Sequence, residues 1–350
     1  MDSKLPSEMI MEIMSRSSLK TLGIMRCASK ELNKLAYEPY LLDLYKKRNK
    51  IVSGFIIQYM KRGWMNIKEF APSPESNNLD LGFLPYNAQV LATSEQGIMV
   101  FKIQDPNNCR KYLYHVCKPA TKQVLALPSP KGNNTDIKFA IVVMGLKPLH
   151  YKIIRFSMRR ALRRWRYLHM AYRCDIFDSM TWKWRSLKPI TLGDGVFLTN
   201  PQPVTKSGSI YMLLTNNNIL KFDVFSEKWE VFSSPIPYDE SRTSTELVKY
   251  GGRLGLACKP PNANGYWDIW VYKMDKSWEK DVDVAAESES ERESLKALYD
   301  SDTSVMVNRE TLLFYRLKQQ GNSMISKIVL NDIPYQIFSF RSDFEPSDLK

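Results

Sequence analysis

The spacing of apolar residues changes once along the chain, from helical spacing near the start to strand spacing afterwards. In residues 1–48, apolar side chains recur three or four positions apart, which is typical of amphipathic helices. Ser7, Ser18 and Ser29 precede three such sets and are candidate N-caps, because a serine hydroxyl accepts hydrogen bonds from first-turn amides. We therefore predict a small all-α unit of three to four short helices, with too little interior to fold well alone.

Short apolar runs separated by Gly, Asn, Asp, Pro and Ser follow, and this pattern is typical of an all-β domain. One unit recurs: an apolar strand, a polar turn and a second strand that begins at Trp184, Trp229 or Trp278. These tryptophans are about 45 to 50 residues apart, the length of one propeller blade. We predict a large, kelch-like β-propeller at 91–345 and a connecting segment at 49–90 that could include its first strands.

Two hairpins and one terminal group of strands refine this prediction. Ser209 to Leu214 is predicted to pair with the strand beginning at Ile219, and Glu246 to Tyr250 with the strand after the Gly251-Gly252 turn. Runs at 305–307, 311–317, 324–330 and 335–340 are predicted to form one further blade.

The tryptophans divide into two groups by their spacing. We expect the three regularly spaced ones to pack between blades, since a large ring fills the wedge between two sheets. Four others are less regularly placed and are better candidates for exposed recognition residues: Trp165, Trp182, Trp267 and Trp270.

Two sets of motifs carry a family resemblance. Leu5-Pro6, the run from Ile10 to Arg16 and the segment from Arg26 to Lys30 together resemble an F-box. The stretch Val116 to Pro128 and the later boxes around Phe222 and Trp229 and at Asp268-Ile269-Trp270 resemble the plant F-box-associated domain.

The resemblance implies that the first unit docks on the Skp-type linker of a Skp-cullin-F-box ubiquitin ligase, and through it on a cullin. The matching apolar positions are Leu5, Pro6, Ile10, Ile13, Met14, Leu22, Met25 and Leu35. Ser17-Ser18, Ile24 and Leu32 depart from the family pattern, so weak linker binding is an alternative. The propeller is implied to recruit a protein substrate.

The formal net charge is +13, and it is unevenly distributed. Arginines crowd the stretch from Arg155 to Arg173, and a helical insertion would place those at i, i+4 spacing on one face. The candidate substrate-binding residues are Arg159, Arg160, Arg163, Arg164, Trp165 and Arg166. They could bind a phosphorylated or acidic substrate, bind nucleic acid, act in nuclear import, or form a solvated loop. The acidic segment Asp281 to Asp302 is predicted to be disordered or marginally helical.

No pattern of catalytic or cofactor-binding residues emerges. The three histidines have no metal-ligand spacing, and there is no phosphate-binding glycine loop. Five scattered cysteines and the lack of a secretory or membrane signal indicate reduced thiols in the cytoplasm or nucleus. We therefore expect a non-catalytic adaptor that needs no cofactor and does not bind a membrane. Nucleic-acid binding is also not expected, because no recognised nucleic-acid-binding module is present. A linker-binding scaffold outside a ligase and a nucleic-acid-binding propeller remain the alternatives.

Overall fold

The computed structural model describes residues 5–17, 21, 24–25, 28–36, 38, 40–41, 44 and most of 52–350. In this last range the description omits 62–63, 75, 77, 133, 147, 160–170, 200, 237–243, 251, 260–265, 286–293, 300–302, 317–322 and 343–348.

The first unit contains α1 (Ser7–Ser15) and α2 (Lys30–Leu35), and further described residues at 21, 24–25, 28, 40–41 and 44 are also helical. Ser29 caps α2 as predicted, because its side chain accepts a hydrogen bond from the Leu32 amide. The prediction for Ser7 was wrong: Ser7 is the first residue of α1, and the N-cap position belongs to Pro6, which makes no side-chain cap. Ser18 lies outside the described residues.

The helices enclose a small apolar core. Its fully buried members are Met11, Met14, Ala36 and Leu41, with Ile10, Met25, Leu32 and Leu35 partly buried against them. So few side chains bury little area, in keeping with the predicted need for a neighbour or partner.

The rest of the described chain forms a six-bladed β-propeller of antiparallel sheets. Blade 1 contains β1 (Ser53–Lys61), β2 (Trp64–Pro72) and β24 (Pro334–Arg341). Blade 2 contains β3 (Gln89–Thr93), β4 (Met99–Asp105), β5 (Asn108–Lys118) and β6 (Gln123–Ala126). Blade 3 contains β7 (Asn134–Leu146), β8 (Leu149–Arg159), β9 (Ala171–Asp178), β10 (Lys183–Ser186) and the short β11 (Ile190–Thr191).

The remaining three blades follow in chain order. Blade 4 contains β12 (Val204–Lys206), β13 (Ser209–Leu213), β14 (Ile219–Asp223) and β15 (Lys228–Phe232). Blade 5 contains β16 (Ser244–Tyr250), β17 (Arg253–Lys259), β18 (Tyr266–Tyr272) and β19 (Trp278–Ala285). Blade 6 contains β20 (Ser294–Tyr299), β21 (Thr303–Asn308), β22 (Thr311–Arg316) and β23 (Ser323–Val329). Both predicted hairpins are confirmed as β13 with β14 and β16 with β17.

The ring closes through blade 1, which joins strands from both ends of the propeller. β24 pairs antiparallel with β1, with Phe55 opposite Ser339 and Ile57 opposite Ile337. The prediction that 335–340 completes the last blade was therefore wrong, since this strand belongs to blade 1. Blade 6 begins instead with β20, and both β20 and the end of β19 lie in the acidic segment that we predicted to be disordered or helical.

Two of the three regularly spaced tryptophans join neighbouring blades. The Trp184 indole Nε1 donates to the Pro128 carbonyl at 2.6 Å, and the Trp278 indole to the Ser233 carbonyl at 3.2 Å. Each acceptor follows the last strand of the preceding blade. Trp229 differs, because 39% of its surface is exposed.

The four less regularly placed tryptophans, predicted to be exposed recognition residues, are mostly not exposed where the structure describes them. Trp267 is fully buried, so that prediction was wrong, and Trp182 and Trp270 are half-buried. Trp267 shares one face of β18 with the buried Ile269 and Val271, which lie two and four positions later, as strand geometry requires. Trp165 lies outside the described residues.

Candidate partner-binding surfaces

Helix α1 has apolar side chains on two opposite faces. Met11 and Met14 point into the core of the first unit, whereas Met9 and Ile13 are 54% and 50% exposed. At 100° per residue, Met9 and Ile13 lie close together on the side away from the core. Leu5, just before the helix, is 53% exposed. We call Leu5, Met9 and Ile13 the exposed apolar face.

The structure separates the predicted linker-binding residues by their surroundings. Leu5, Pro6 and Ile13 are exposed, and Ile10 is half-buried at the edge of the core. Met14 is 1% exposed, and Met25 and Leu35 pack against the same core. Leu22 lies outside the described residues. Sequence reasoning missed Met9, although its spacing of four from Ile13 could have revealed it.

The six innermost strands β3, β7, β12, β16, β20 and β24 line a central cavity of about 870 Å³. Glu95 of blade 2 pairs with Lys249 of blade 5 at 2.6 Å, and these blades lie opposite each other in the ring. Glu246 pairs with Lys296 at 3.0 Å, and burial raises the pKa of Glu246 despite this pairing. The volume is within the range of ligand pockets, but these charged side chains already bind one another.

The predicted arginine cluster is divided between the interior and an undescribed stretch. Arg155 is 1% exposed, so it is a buried side chain and not part of a surface cluster. Arg159 ends β8, and Arg160, Arg163, Arg164, Trp165 and Arg166 lie outside the described residues. Arg155 therefore cannot belong to a nucleic-acid-binding surface, which was the alternative predicted for the stretch from Arg155 to Arg173.

Arg155 is the centre of a buried ion network between blades 2 and 3. Its Nε donates to Asp136 at 2.7 Å and its Nη1 to Asp175 at 3.1 Å. Lys102 of blade 2 binds the other oxygen of Asp136 at 2.7 Å, and the Tyr114 hydroxyl donates to the same carboxylate. Burial alone would raise the pKa of Asp136, but the charges of Lys102 and Arg155 outweigh it and lower this pKa below its ordinary value.

The described part of the chain contains neither a membrane-spanning helix nor a metal-binding cluster. No helix there is long and apolar enough to cross a membrane. Among the same residues, no three His, Cys, Asp or Glu side chains cluster in a way that could hold a metal ion.

Comparisons with known proteins agree with this architecture. Residues 63–319 match the family described as the F-box associated beta propeller domain. F-box protein At5g41720 of Arabidopsis thaliana is 30% identical over 165 residues, which cover 45% of this chain and 88% of that protein. Putative F-box protein At3g10240 of the same plant is 21% identical over 335 residues, covering 88% of this chain and 75% of that protein.

Solved structures share only low sequence identity with the chain. A protein from Lactobacillus plantarum is 10% identical, with a TM-score of 0.44, and covers 83% of this chain and 99% of its own. The family match spans most of the propeller, from β2 to β22. The chain therefore belongs to the F-box proteins that carry an F-box associated β-propeller domain, a family with relatives in Arabidopsis thaliana.

Proposed function

We propose that this protein is the substrate-recognition adaptor of a Skp-cullin-F-box ubiquitin ligase. The helical unit binds the Skp-type linker, which connects it to a cullin, and the propeller holds a protein substrate. The adaptor performs no chemistry itself. It raises the effective concentration of substrate lysines near a ubiquitin-conjugating enzyme carried by the other subunits.

The observation that supports linker binding most directly is the exposed apolar face. A helix that is apolar on two sides gains stability when a partner covers the second side. Full burial of a large apolar side chain contributes about 1.5–3 kcal/mol, so covering the exposed half of Met9 or Ile13 contributes about 1 kcal/mol each. Together they account for about 30-fold in affinity.

The core residues of the unit have a supporting role in this proposal. Met14, Met25 and Leu35 hold the helices together, while Leu5, Pro6 and Ile13 with the edge residue Ile10 contact the linker. Ile24, a departure from the family pattern, is 62% exposed. Leu32, another departure, packs partly buried in the core.

Co-purification of the full chain with a Skp-type linker and a cullin tests the proposal. The Met9→Glu/Ile13→Glu variant should weaken linker binding by at least about 30-fold, because it places charges in an apolar contact. Met274→Glu is the matched control, since Met274 is fully exposed on a propeller turn. It should bind like the unmodified chain.

Three results would contradict the proposal. The first is an unmodified chain that does not recover the linker. The second is a Met274→Glu variant that loses as much binding as the double variant. The third is recovery of the linker without the cullin, which would instead support a scaffold outside a ligase.

A further inference from the structure

Leu349 and Lys350 occupy a cleft in the seam between blades 2 and 3. Leu349 is completely buried in the apolar cluster shared by these blades, which includes Tyr151 and Phe177. The Tyr151 hydroxyl donates to the Leu349 carbonyl at 3.0 Å. The Lys350 Nζ lies over the Trp182 ring, 5.0 Å from its centre, at cation–π distance. The cleft thus contacts an apolar side chain, the backbone carbonyl of the same residue and the cationic side chain of the next residue.

The walls of the cleft are held by contacts that do not involve their occupant. The turn from Asp178 to Trp182 closes through a hydrogen bond from the Trp182 amide to the Asp178 carbonyl at 2.8 Å. Ser179 Oγ accepts from the Tyr151 amide at 2.9 Å, which joins this turn to β8. The Trp182 ring packs edge-on against Phe177 with centroids 5.1 Å apart. Because these contacts preorganise the aromatic walls, the cleft can bind a second ligand at a small entropic cost.

We propose that this cleft is a peptide-recognition site for a leucine-sized apolar residue followed directly by lysine or arginine, and that Leu349–Lys350 occupies it in cis as a competing ligand. This inference deepens the proposed function, since the cleft would be where the propeller takes a protein substrate. Peptide binding to it requires neither linker nor cullin, so it is tested separately.

Competition in cis follows from the short connection. Seven positions in the sequence, 342–348, separate the end of β24 from Leu349, and an extended chain of that length reaches at most roughly 25 Å. An intramolecular ligand at so short a sequence distance has an effective concentration in the millimolar range. A cis segment with a dissociation constant of about 10–100 μM for the cleft would therefore make a competing peptide bind the intact chain at least about tenfold more weakly.

Fluorescence anisotropy with a labelled peptide tests both parts of the proposal. The probe is the sequence of residues 345–350, Glu-Pro-Ser-Asp-Leu-Lys. The receptor is the full chain carrying Leu349→Glu and Lys350→Glu, which places two carboxylates where the cleft takes an apolar group and a cation. We expect this vacated chain to bind the probe at least tenfold more tightly than the unmodified chain. A probe with leucine replaced by glutamate should not bind.

Substitutions in the cleft then test its identity. In the vacated chain, Tyr151→Phe removes only the hydroxyl and should weaken binding severalfold, while Trp182→Ala should weaken it at least tenfold. Met180→Ala is the matched control, because Met180 lies on the same turn and is 61% exposed. Thermal melting of each variant verifies that it is folded at the assay temperature. If Trp182→Ala is not folded there, Tyr151→Phe alone tests the cleft.

Three results would overturn the inference. They are equal affinity of the vacated and unmodified chains, no binding to the folded vacated chain, and binding that Tyr151→Phe and Trp182→Ala both leave unchanged. None of them affects linker co-purification, so the adaptor proposal would stand or fall on its own test.

Discussion

Arg155→Ala tests whether the buried ion network holds blades 2 and 3 together. The substitution removes the guanidinium that both Asp136 and Asp175 bind, and leaves two carboxylates that are 6% and 2% exposed. Removing one partner of a buried ion pair costs about 3–5 kcal/mol, because the two carboxylates stay desolvated with only Lys102 and Arg173 as counter-charges. With an unfolding entropy of about 2.1 cal/mol/K per residue over roughly 300 residues, this corresponds to a fall in Tm of about 5–8 °C.

The matched control is Arg185→Ala. Arg185 forms an ion pair with Glu227 that also joins two blades, 3 and 4, but its side chain is 47% exposed. Pairs in such contact with water contribute about 0–1 kcal/mol, so Tm should fall by less than about 2 °C. Comparing the fall in Tm for the same substitution at two interblade ion pairs thus distinguishes the effect of burying the pair from the effect of having two charges close together.

The pH dependence gives a second readout by circular dichroism or differential scanning fluorimetry. In the unmodified chain the pKa of Asp136 is lowered, so its contribution to stability is present above about pH 3.9 and is lost only as the pH falls through the folded-state pKa. Without Arg155, Asp136 keeps Lys102 as its counter-charge but loses the guanidinium, so its pKa should be higher than in the unmodified chain and protonation should relieve part of the lost pairing in mild acid. The difference in Tm between the two chains should therefore be smaller at pH 4 than at pH 7.

Two results would refute this reasoning. One is a fall in Tm for Arg155→Ala no greater than that for Arg185→Ala. The other is a difference in Tm between unmodified and variant chains that stays constant or grows from pH 7 to pH 4. The first would show that burial does not increase the cost of losing the arginine, and the second that packing of the arginine stem, not its charge, determines the effect.

Three other predictions concern an interblade contact, the closing blade and a buried lysine. Trp184→Phe should cost about 1 kcal/mol in urea unfolding, because its indole loses a hydrogen bond to the preceding blade. Gly54→Ala should cost about 1–3 kcal/mol, because a Cβ there would overlap the Ala71 carbonyl, whereas Gly193→Ala, with open space around it, should cost within about 0.5 kcal/mol. Burial lowers the pKa of Lys138 to about 8, so the folded state loses this proton at a lower pH than the unfolded state does, and the free energy of unfolding should rise between pH 8 and pH 10. In Lys138→Met this rise, measured from urea midpoints, should be smaller.

The sequence was sufficient for those parts of the fold in which local signals decide. The pairs β13 with β14 and β16 with β17 are short runs rich in apolar residues on either side of the Asn216-Asn217-Asn218 and Gly251-Gly252 turn sequences, so both hairpins could be predicted. The pairing of β1 with β24 could not, because it joins segments nearly 300 residues apart. Nothing local distinguishes a strand that completes its own blade from one that closes the ring.

Burial of single residues was harder to predict than the strands that contain them. Trp267 alternates with Ile269 and Val271, so its buried position was readable from strand periodicity. Arg155 stands in the apolar run from Ile153 to Phe156, which also indicates an interior position. Its partners, however, come from β7 and β9, and only the antiparallel register brings those carboxylates to it.

The seam between blades 2 and 3 combines the ion network and the proposed peptide cleft on one strand. Tyr151 and Arg155 lie on the same face of β8, about 13 Å apart at 3.3 Å per residue. Both bridge the same two blades, one through the apolar cluster around Leu349 and the other through Lys102 and Asp136. Because Arg155 contacts no part of the cleft's occupant, its loss should lower Tm without changing peptide affinity in the folded vacated chain. Tyr151→Phe in the vacated chain should instead lower peptide affinity without changing Tm.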